Sequence, residues 1–148
     1  MPFKSEDELR EKLINTGELL LQSHGEVIRR TGGNPYDADL LFIPPYGEQK
    51  PKVVLIDCKF SHSTTLGDAL AVQSAQKLIR FKQANPELEA ELEIITNGKS
   101  AVKMLERIRR EYPVQIHPEV KSEEALQAAF SEIVERQMAL SPQAPAAE

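Results

Sequence analysis

The sequence predicts an α/β fold, with a mixed central sheet flanked by helices and the element order α-β-β-β-α-β, then α-β-α. Two observations lead there. Short apolar runs such as Ala38-Asp-Leu-Leu-Phe-Ile43 and Lys52-Val-Val-Leu-Ile-Asp57 alternate with longer stretches whose apolar residues recur at helical spacing. Glycine, proline and asparagine stand at most of the junctions between them.

Ser5-Glu-Asp-Glu8 reads as a capping box, in which the Ser5 hydroxyl and the Glu8 carboxylate satisfy each other's free backbone donors. Leu9, Leu13, Gly17 and Leu20 follow at near-helical spacing and Gly25 offers a left-handed stop, so a first helix is expected over about 6–24. Glu26 to Arg30 reads as a short strand, and Thr31-Gly-Gly-Asn-Pro35 as a turn. The runs 38–43 and 52–57 are strands joined by the loop from Pro44 to Pro51. The second is apolar on both faces from Val53 to Ile56, the mark of a central strand in a covered sheet. After a polar loop from Ser61 to Thr65, a helix from Gly67 or Asp68 to about Ala84 turns Leu70, Leu78 and Phe81 inward and stops at Asn85-Pro86. Glu91 to Thr96 alternates as a strand and Asn97-Gly98 turns. Ser100 to Glu111 is a helix with Val102, Leu105 and Ile108 on one side, Val114 to Ile116 a short strand, and 122–139 a last helix. A single domain is expected over 1–140, with 141–148 a disordered tail by composition.

With 41% hydrophobic and 28% charged residues the composition is that of an ordinary globular protein. No apolar run approaches the roughly 20 residues that span a bilayer, and the polar start lacks the apolar stretch of a signal peptide. A cytoplasmic protein without membrane contact is therefore expected. Cys58 is the single cysteine, so disulfides and cysteine-rich metal sites are excluded and any metal is held mainly by oxygen. The net charge of −5 argues against nucleic acid, which draws its partners through Lys and Arg on phosphates. Its distribution argues the other way. Residues 27–84 carry eight basic and five acidic side chains, whereas 1–26 carry three and six, and 85–148 seven and twelve. A locally basic centre inside an acidic chain is compatible with DNA.

Three acid-x-Lys tripeptides occur: Glu48-Gln-Lys50, Asp57-Cys-Lys59 and Glu119-Val-Lys121. Placement separates them, because the first falls in a Pro/Gly-rich loop and the third beside Pro118, while Asp57-Cys58-Lys59 ends a buried strand. Side chains alternate along a strand, so Asp57 and Lys59 share a face and Cys58 points to the other as a small core residue. Burying such charges costs several kcal/mol unless they are paired or bind a metal. Asp39 begins the preceding strand and converges on Asp57 if the two strands are antiparallel neighbours; Asp37, two residues away, competes for the role. Two carboxylates with the Cys58 carbonyl and water form a hard oxygen shell suited to Mg²⁺ or Mn²⁺. Lys59 is then placed to orient or help deprotonate an attacking water.

This pattern resembles the PD-(D/E)xK nuclease superfamily, whose core runs α-β-β-β-α-β and whose motif is an acid on one strand and acid-x-Lys on the next. Gly25-Glu-Val-Ile-Arg-Arg30, Asp39-Leu-Leu, Ile56-Asp-Cys-Lys59 and Leu78-Ile-Arg-Phe81 look like landmarks of archaeal Holliday-junction resolvases. Ile95-Thr-Asn-Gly98 before a helix is similar to restriction endonucleases that cut methylated DNA. The residue before the first acid, often proline in the family, is Ala38 here.

The resemblance spans about residues 6–110 and implies a restriction endonuclease-like core, with Asp39 and Asp57 as metal ligands and Lys59 as the catalytic lysine. It further implies a glutamate from the first helix, Glu18 in preference to Glu11, and a glutamine from the helix after the lysine strand, Gln73 in preference to Gln76. Arg29, Arg30, His62 and Lys77 are the expected phosphate contacts, with Arg80 and Lys82 behind them. The expected activity is Mg²⁺-dependent endonucleolytic cleavage of DNA by a homodimer, since a chain with one site needs a second copy to cut both strands. Junction resolution, restriction or repair are all open, as is a non-catalytic scaffold that keeps the fold. Against each residue stands a plainer role: an ion pair at a strand end for Asp57 and Lys59, a turn cap for Asp39, a solvated helix face for Glu18.

Overall fold

The computed structural model describes residues 3–29, 38–45, 52–61, 68–99 and 102–139. Among the described residues nine elements follow in the expected order: α1 (Glu6–Leu21), β1 (Glu26–Arg29), β2 (Leu40–Ile43), β3 (Lys52–Lys59), α2 (Asp68–Ala84), β4 (Glu89–Thr96), α3 (Val102–Glu111), β5 (Val114–His117) and α4 (Glu123–Ala139). They build an open five-stranded sheet in the order β1-β2-β3-β4-β5. The first three strands form an antiparallel meander, and β3, β4 and β5 are parallel, linked by α2 and α3 as crossovers.

One face of the sheet, bearing Phe42, Val54, Ile56 and Cys58, packs against Leu9, Leu13 and Leu21 of α1 and Leu126, Phe130 and Ile133 of α4. The other, bearing Val53, Leu55, Leu92 and Ile94, packs against Leu78 and Phe81 of α2. Covered on both sides, β3 is buried without interruption from Val53 to Cys58, which is why its apolar run does not alternate. Asp57 therefore lies inside the strand and does not end it. Cys58 and Lys59 continue the ladder opposite Ile95 and Thr96 of β4.

The Ser5 hydroxyl caps α1 by accepting from the Glu8 N–H at 3.1 Å, but the Glu8 carboxylate reaches one residue further back than a capping box requires, to the Lys4 N–H at 2.7 Å. The helix ends at Leu21, short of the expected 24, and Gly25 is not its left-handed stop. Gly25 is needed for closeness: a Cβ there would meet the Ile43 carbonyl and stand 2.9 Å from the Phe42 ring. Gly17 serves likewise on the inner face of α1, where a Cβ would run into Leu40 and lie 2.7 Å from Phe130 Cζ. Gly17→Ala is expected to destabilise by about 1–2 kcal/mol, because overpacking outweighs a helix-propensity gain of about 1 kcal/mol. Its urea midpoint should fall with the slope unchanged; a midpoint equal to or above that of the wild type counts against this packing.

The alternation of Glu91 and Glu93 along β4 does not bring them to solvent. Glu93 is fully buried between His117 Nε2 on β5 and Arg136 on α4, each 2.6 Å from one of its oxygens. Glu91 accepts from Gln137 of α4 at 2.8 Å and pairs with Lys52 at 3.0 Å. The last helix is thus fastened to the sheet by ions as well as by its apolar face. No helix among the described residues is long and apolar enough to cross a membrane. Leu70, Val102, Leu105, Ile108, the turn at 31–35, the loop tripeptide Glu48-Gln-Lys50 and the tail lie outside what is described.

Candidate functional site

The β2–β3 register sets Leu40 against Ile56, and one step further it sets Asp39 against Asp57. Both carboxylates stand at the same end of the antiparallel pair and both are about 99% shielded, at 1% exposure each. Asp57 and Lys59 lie on the α2 face and Cys58 on the opposite one, within the α1/α4 core, as alternation requires. A helix joining two parallel neighbours must run back antiparallel to them, so α2 passes over the end of β3 and delivers side chains from above.

Two of these bind Asp57. Ser74 Oγ donates to Asp57 Oδ2 at 2.8 Å, and Lys77 Nζ donates to Oδ1 and Oδ2 at 3.1 and 3.2 Å. Lys59 Nζ is 3.8 Å from Oδ2, so two ammonium groups, each on a side chain only 12% exposed, flank a single carboxylate. Asp39 is held differently: its Oδ2 accepts the Cys58 N–H at 2.7 Å and its Oδ1 accepts Arg10 Nε, from α1, at 3.0 Å. The same guanidinium reaches Glu6 at 2.8 Å and Asp7 at 3.3 Å. Farther along, Ser61 and Asn97 exchange two hydrogen bonds of 2.7 and 2.8 Å that tie the end of β3 to the end of β4.

Burial and then the facing Asp57 charge push the Asp39 carboxyl up to about 6, against the opposing pull of the Cys58 N–H, Arg10 and Lys77. Burial likewise drives the Cys58 thiol far above its ordinary range, which makes it unreactive. The two carboxylates present hard oxygens at facing positions, and their mutual repulsion is of the kind a divalent cation relieves. Hard oxygens of this kind are the donors that Mg²⁺ and Mn²⁺ favour. No group of three or more acid, histidine or cysteine side chains suited to a metal occurs among the described residues.

Asp39, Asp57 and Lys59 therefore come together with Lys77, while other expected members do not join them. Glu18 is occupied by Arg29, whose Nε and Nη2 donate to it at 2.6 and 2.8 Å, and this pairing lowers its pKa. The α1 residue that meets Asp39 is Arg10, roughly 12 Å along the helix from Glu18 at 1.5 Å per residue. Glu11 is nearer, lining with Arg10, Asn15 and Arg29 a cavity of about 220 Å³. Arg29 is paired with Glu18, and Lys77 lies across both oxygens of Asp57. Gln73 and Gln76 are exposed on α2, with Gln73 one turn from Lys77 toward the Lys59 end of β3. Arg30, His62 and Asp37 lie outside the described residues.

Comparison with family models, curated proteins and solved structures finds no match.

Arg10, Ser74 and the Asp57-directed role of Lys77 escaped the sequence reading. Ser74 had a signal: it falls four residues before Leu78 and seven before Phe81, a polar side chain on the inward stripe of α2. Lys77, three residues on, shares that face. Nothing in the sequence distinguishes Arg10 from Lys12 on the same helix or from Lys4 just before it.

Proposed function

We propose that this chain is a metal-dependent DNA endonuclease of the restriction endonuclease-like fold, hydrolysing phosphodiester bonds, with branched DNA as its first candidate substrate. The observation that carries this reading is the pair of buried carboxylates at facing positions of β2 and β3, ringed by Arg10, Lys59 and Lys77. Asp39 and Asp57 would hold Mg²⁺ or Mn²⁺, which when bound supplies charge stabilisation to the scissile phosphate and acidity to a water. Lys59, on the same face as Asp57, orients the attacking water through Nζ. Lys77 and Arg10 bring positive charge to the phosphate oxygens, where charge builds as the bond breaks. Ser74 fixes the Asp57 rotamer from above. A homodimer brings a second such site for the opposite strand.

A second reading, a non-catalytic nucleic-acid-binding or scaffolding protein, draws on one observation: all four carboxylate oxygens are already engaged by donors of the chain. One experiment separates the two. Purified protein is incubated with supercoiled plasmid and with a synthetic four-way junction, with Mg²⁺, Mn²⁺ or EDTA, alongside Lys59→Ala. Metal-dependent nicking that Lys59→Ala loses supports the nuclease; intact DNA in every lane, or equal cutting by the variant, removes it.

A further inference from the structure

The pairing of β2 with β3 reaches only to Ile56, so beyond it the backbone ladder of β3 runs to β4 alone, and that ladder stops at Lys59 opposite Thr96. Strand ends of this kind open locally at little cost unless something fastens them. Here the Asn97 side chain does so. Its Oδ1 accepts the Ser61 N–H at 2.7 Å and its Nδ2 donates to the Ser61 carbonyl at 2.8 Å. A carboxamide engaged at both groups stands in for a peptide unit of the neighbouring strand, and it carries the β3–β4 pairing two residues past Lys59. The turn that bears Asn97 is itself fixed. The Gly98 N–H donates to Thr96 Oγ1 at 3.2 Å, and the Glu119 and Val120 N–H groups donate to the Gly98 and Thr96 carbonyls, both at 2.9 Å. Thr96 is fully buried and Ser61 is buried too, so water competes little for these bonds.

We propose that Asn97 is a positioning residue for Lys59: by clasping the Ser61 backbone it holds the end of β3, and with it the lysine ammonium, where the attacking water is oriented. This rests on the nuclease reading and adds to it a residue that acts only through Lys59. Lys59 Nζ stands 3.8 Å from Asp57 Oδ2 on a side chain 12% exposed, so a small tilt of the strand end changes both its distance to that carboxylate and its access to water. Misplacement of a reacting group by about 1 Å can cost about a hundredfold in rate, whereas DNA affinity, which Lys59 does not govern in this reading, should change little. Gln137 of α4 supplies a matched control. Its amide also makes two bonds, accepting from Lys52 Nζ at 3.2 Å and donating to Glu91 at 2.8 Å, but it does so at the opposite end of β3, about 23 Å from Lys59.

The test joins two readouts on wild type, Asn97→Ala, Asn97→Asp and Gln137→Ala. One is steady-state cleavage of a synthetic four-way junction with Mg²⁺; the other is the rate at which each lysine is reductively methylated, read by mass spectrometry, which needs no activity. Asn97→Ala should lower kcat by about tenfold or more with KM within about twofold of the wild type, and Lys59 should be methylated several-fold faster while Lys52 is not. Asn97→Asp keeps an acceptor for the Ser61 N–H and lacks the donor to its carbonyl, so it should fall between. Gln137→Ala should lower the urea midpoint to a similar degree and speed the methylation of Lys52, yet keep the wild-type kcat. An equal loss of kcat in Asn97→Ala and Gln137→Ala, a change confined to KM, or unaltered methylation of Lys59 overturns the positioning role. Its failure is separable from that of the nuclease. Wild-type kcat in Asn97→Ala removes the role and leaves the nuclease standing, whereas a wild type that cuts nothing removes the nuclease, and the methylation of Lys59 still decides whether Asn97 holds the end of β3.

Discussion

Replacing Asp57 with alanine is expected, for the nuclease proposed above, to lower cleavage by about a thousandfold or more, through loss of several kcal/mol of metal-borne charge stabilisation at about 1.4 kcal/mol per decade. The same change should destabilise the fold by about 3 kcal/mol. Removing one partner of a buried ion pair leaves the other charge uncompensated, and here Lys59 and Lys77 both point at the vacated position from side chains 12% exposed. The loss lies toward the lower end for a broken buried pair because a lysine stem lets its ammonium move toward water. Two independent effects are thus combined in one variant, and a second substitution separates them. Lys77→Met in the Asp57→Ala background removes one of the two ammonium groups that face the vacated position and should return part of the lost stability without returning cleavage. Urea unfolding of wild type, the two single variants and the double variant closes the cycle. If Lys77→Met destabilises the Asp57→Ala protein as much as it does the wild type, the Lys77–Asp57 pairing does not exist in solution.

How much of this was legible beforehand differs by residue. The face shared by Asp57 and Lys59 and denied to Cys58 follows from strand alternation alone, and the structure has it so. The pairing of Asp39 with Asp57 needed a register, and register is fixed by which apolar residues must face the same layer: Leu40 and Ile56 both belong to the α1/α4 core, and aligning them puts the two acids level. The element order was readable because strands β3 and β4 are too apolar to be anything but covered. Helix faces were less readable. Glu11 and Glu18 were judged by spacing from each other, which says that they share a face but not which strand residue that face meets. The lateral position of α1 is set by Gly17, which lets it close on Leu40 and Phe130, and that approach brings Arg10 to Asp39 and leaves Glu18 with Arg29. The buried Glu93 was hidden for a related reason. An acid alternating with leucine along a strand reads as facing solvent until α4, with Arg136 and Gln137, is known to cover it.

Stability should fall as pH rises from about 4 to about 6, and Asp39 is the residue responsible. Its ordinary value of 3.8 is raised to about 6 in the folded chain, so between those limits the folded state holds a proton that the unfolded state has released. More protons on the folded than on the unfolded form gives unfolding free energy a negative slope with pH. The full contribution is present below the unfolded value and is gone once pH has passed the folded one. Roughly two pH units at about 1.4 kcal/mol each make the loss about 3 kcal/mol. Asp39→Asn does not titrate, yet its amide oxygen can still accept the Cys58 N–H, so it should become more stable relative to the wild type by about that amount between pH 4 and pH 7. Urea unfolding of both proteins across this range gives the difference directly, and a difference that stays flat with pH excludes Asp39 as the source. Other carboxylates titrate in the same range, which is why the comparison with Asp39→Asn, and not the wild-type profile, decides. Above pH 6 the ionised Asp39 faces Asp57 at an energetic cost that, under the proposed function, a divalent cation would recover. An asparagine at 39 removes that cost together with the reason for a cation to bind there.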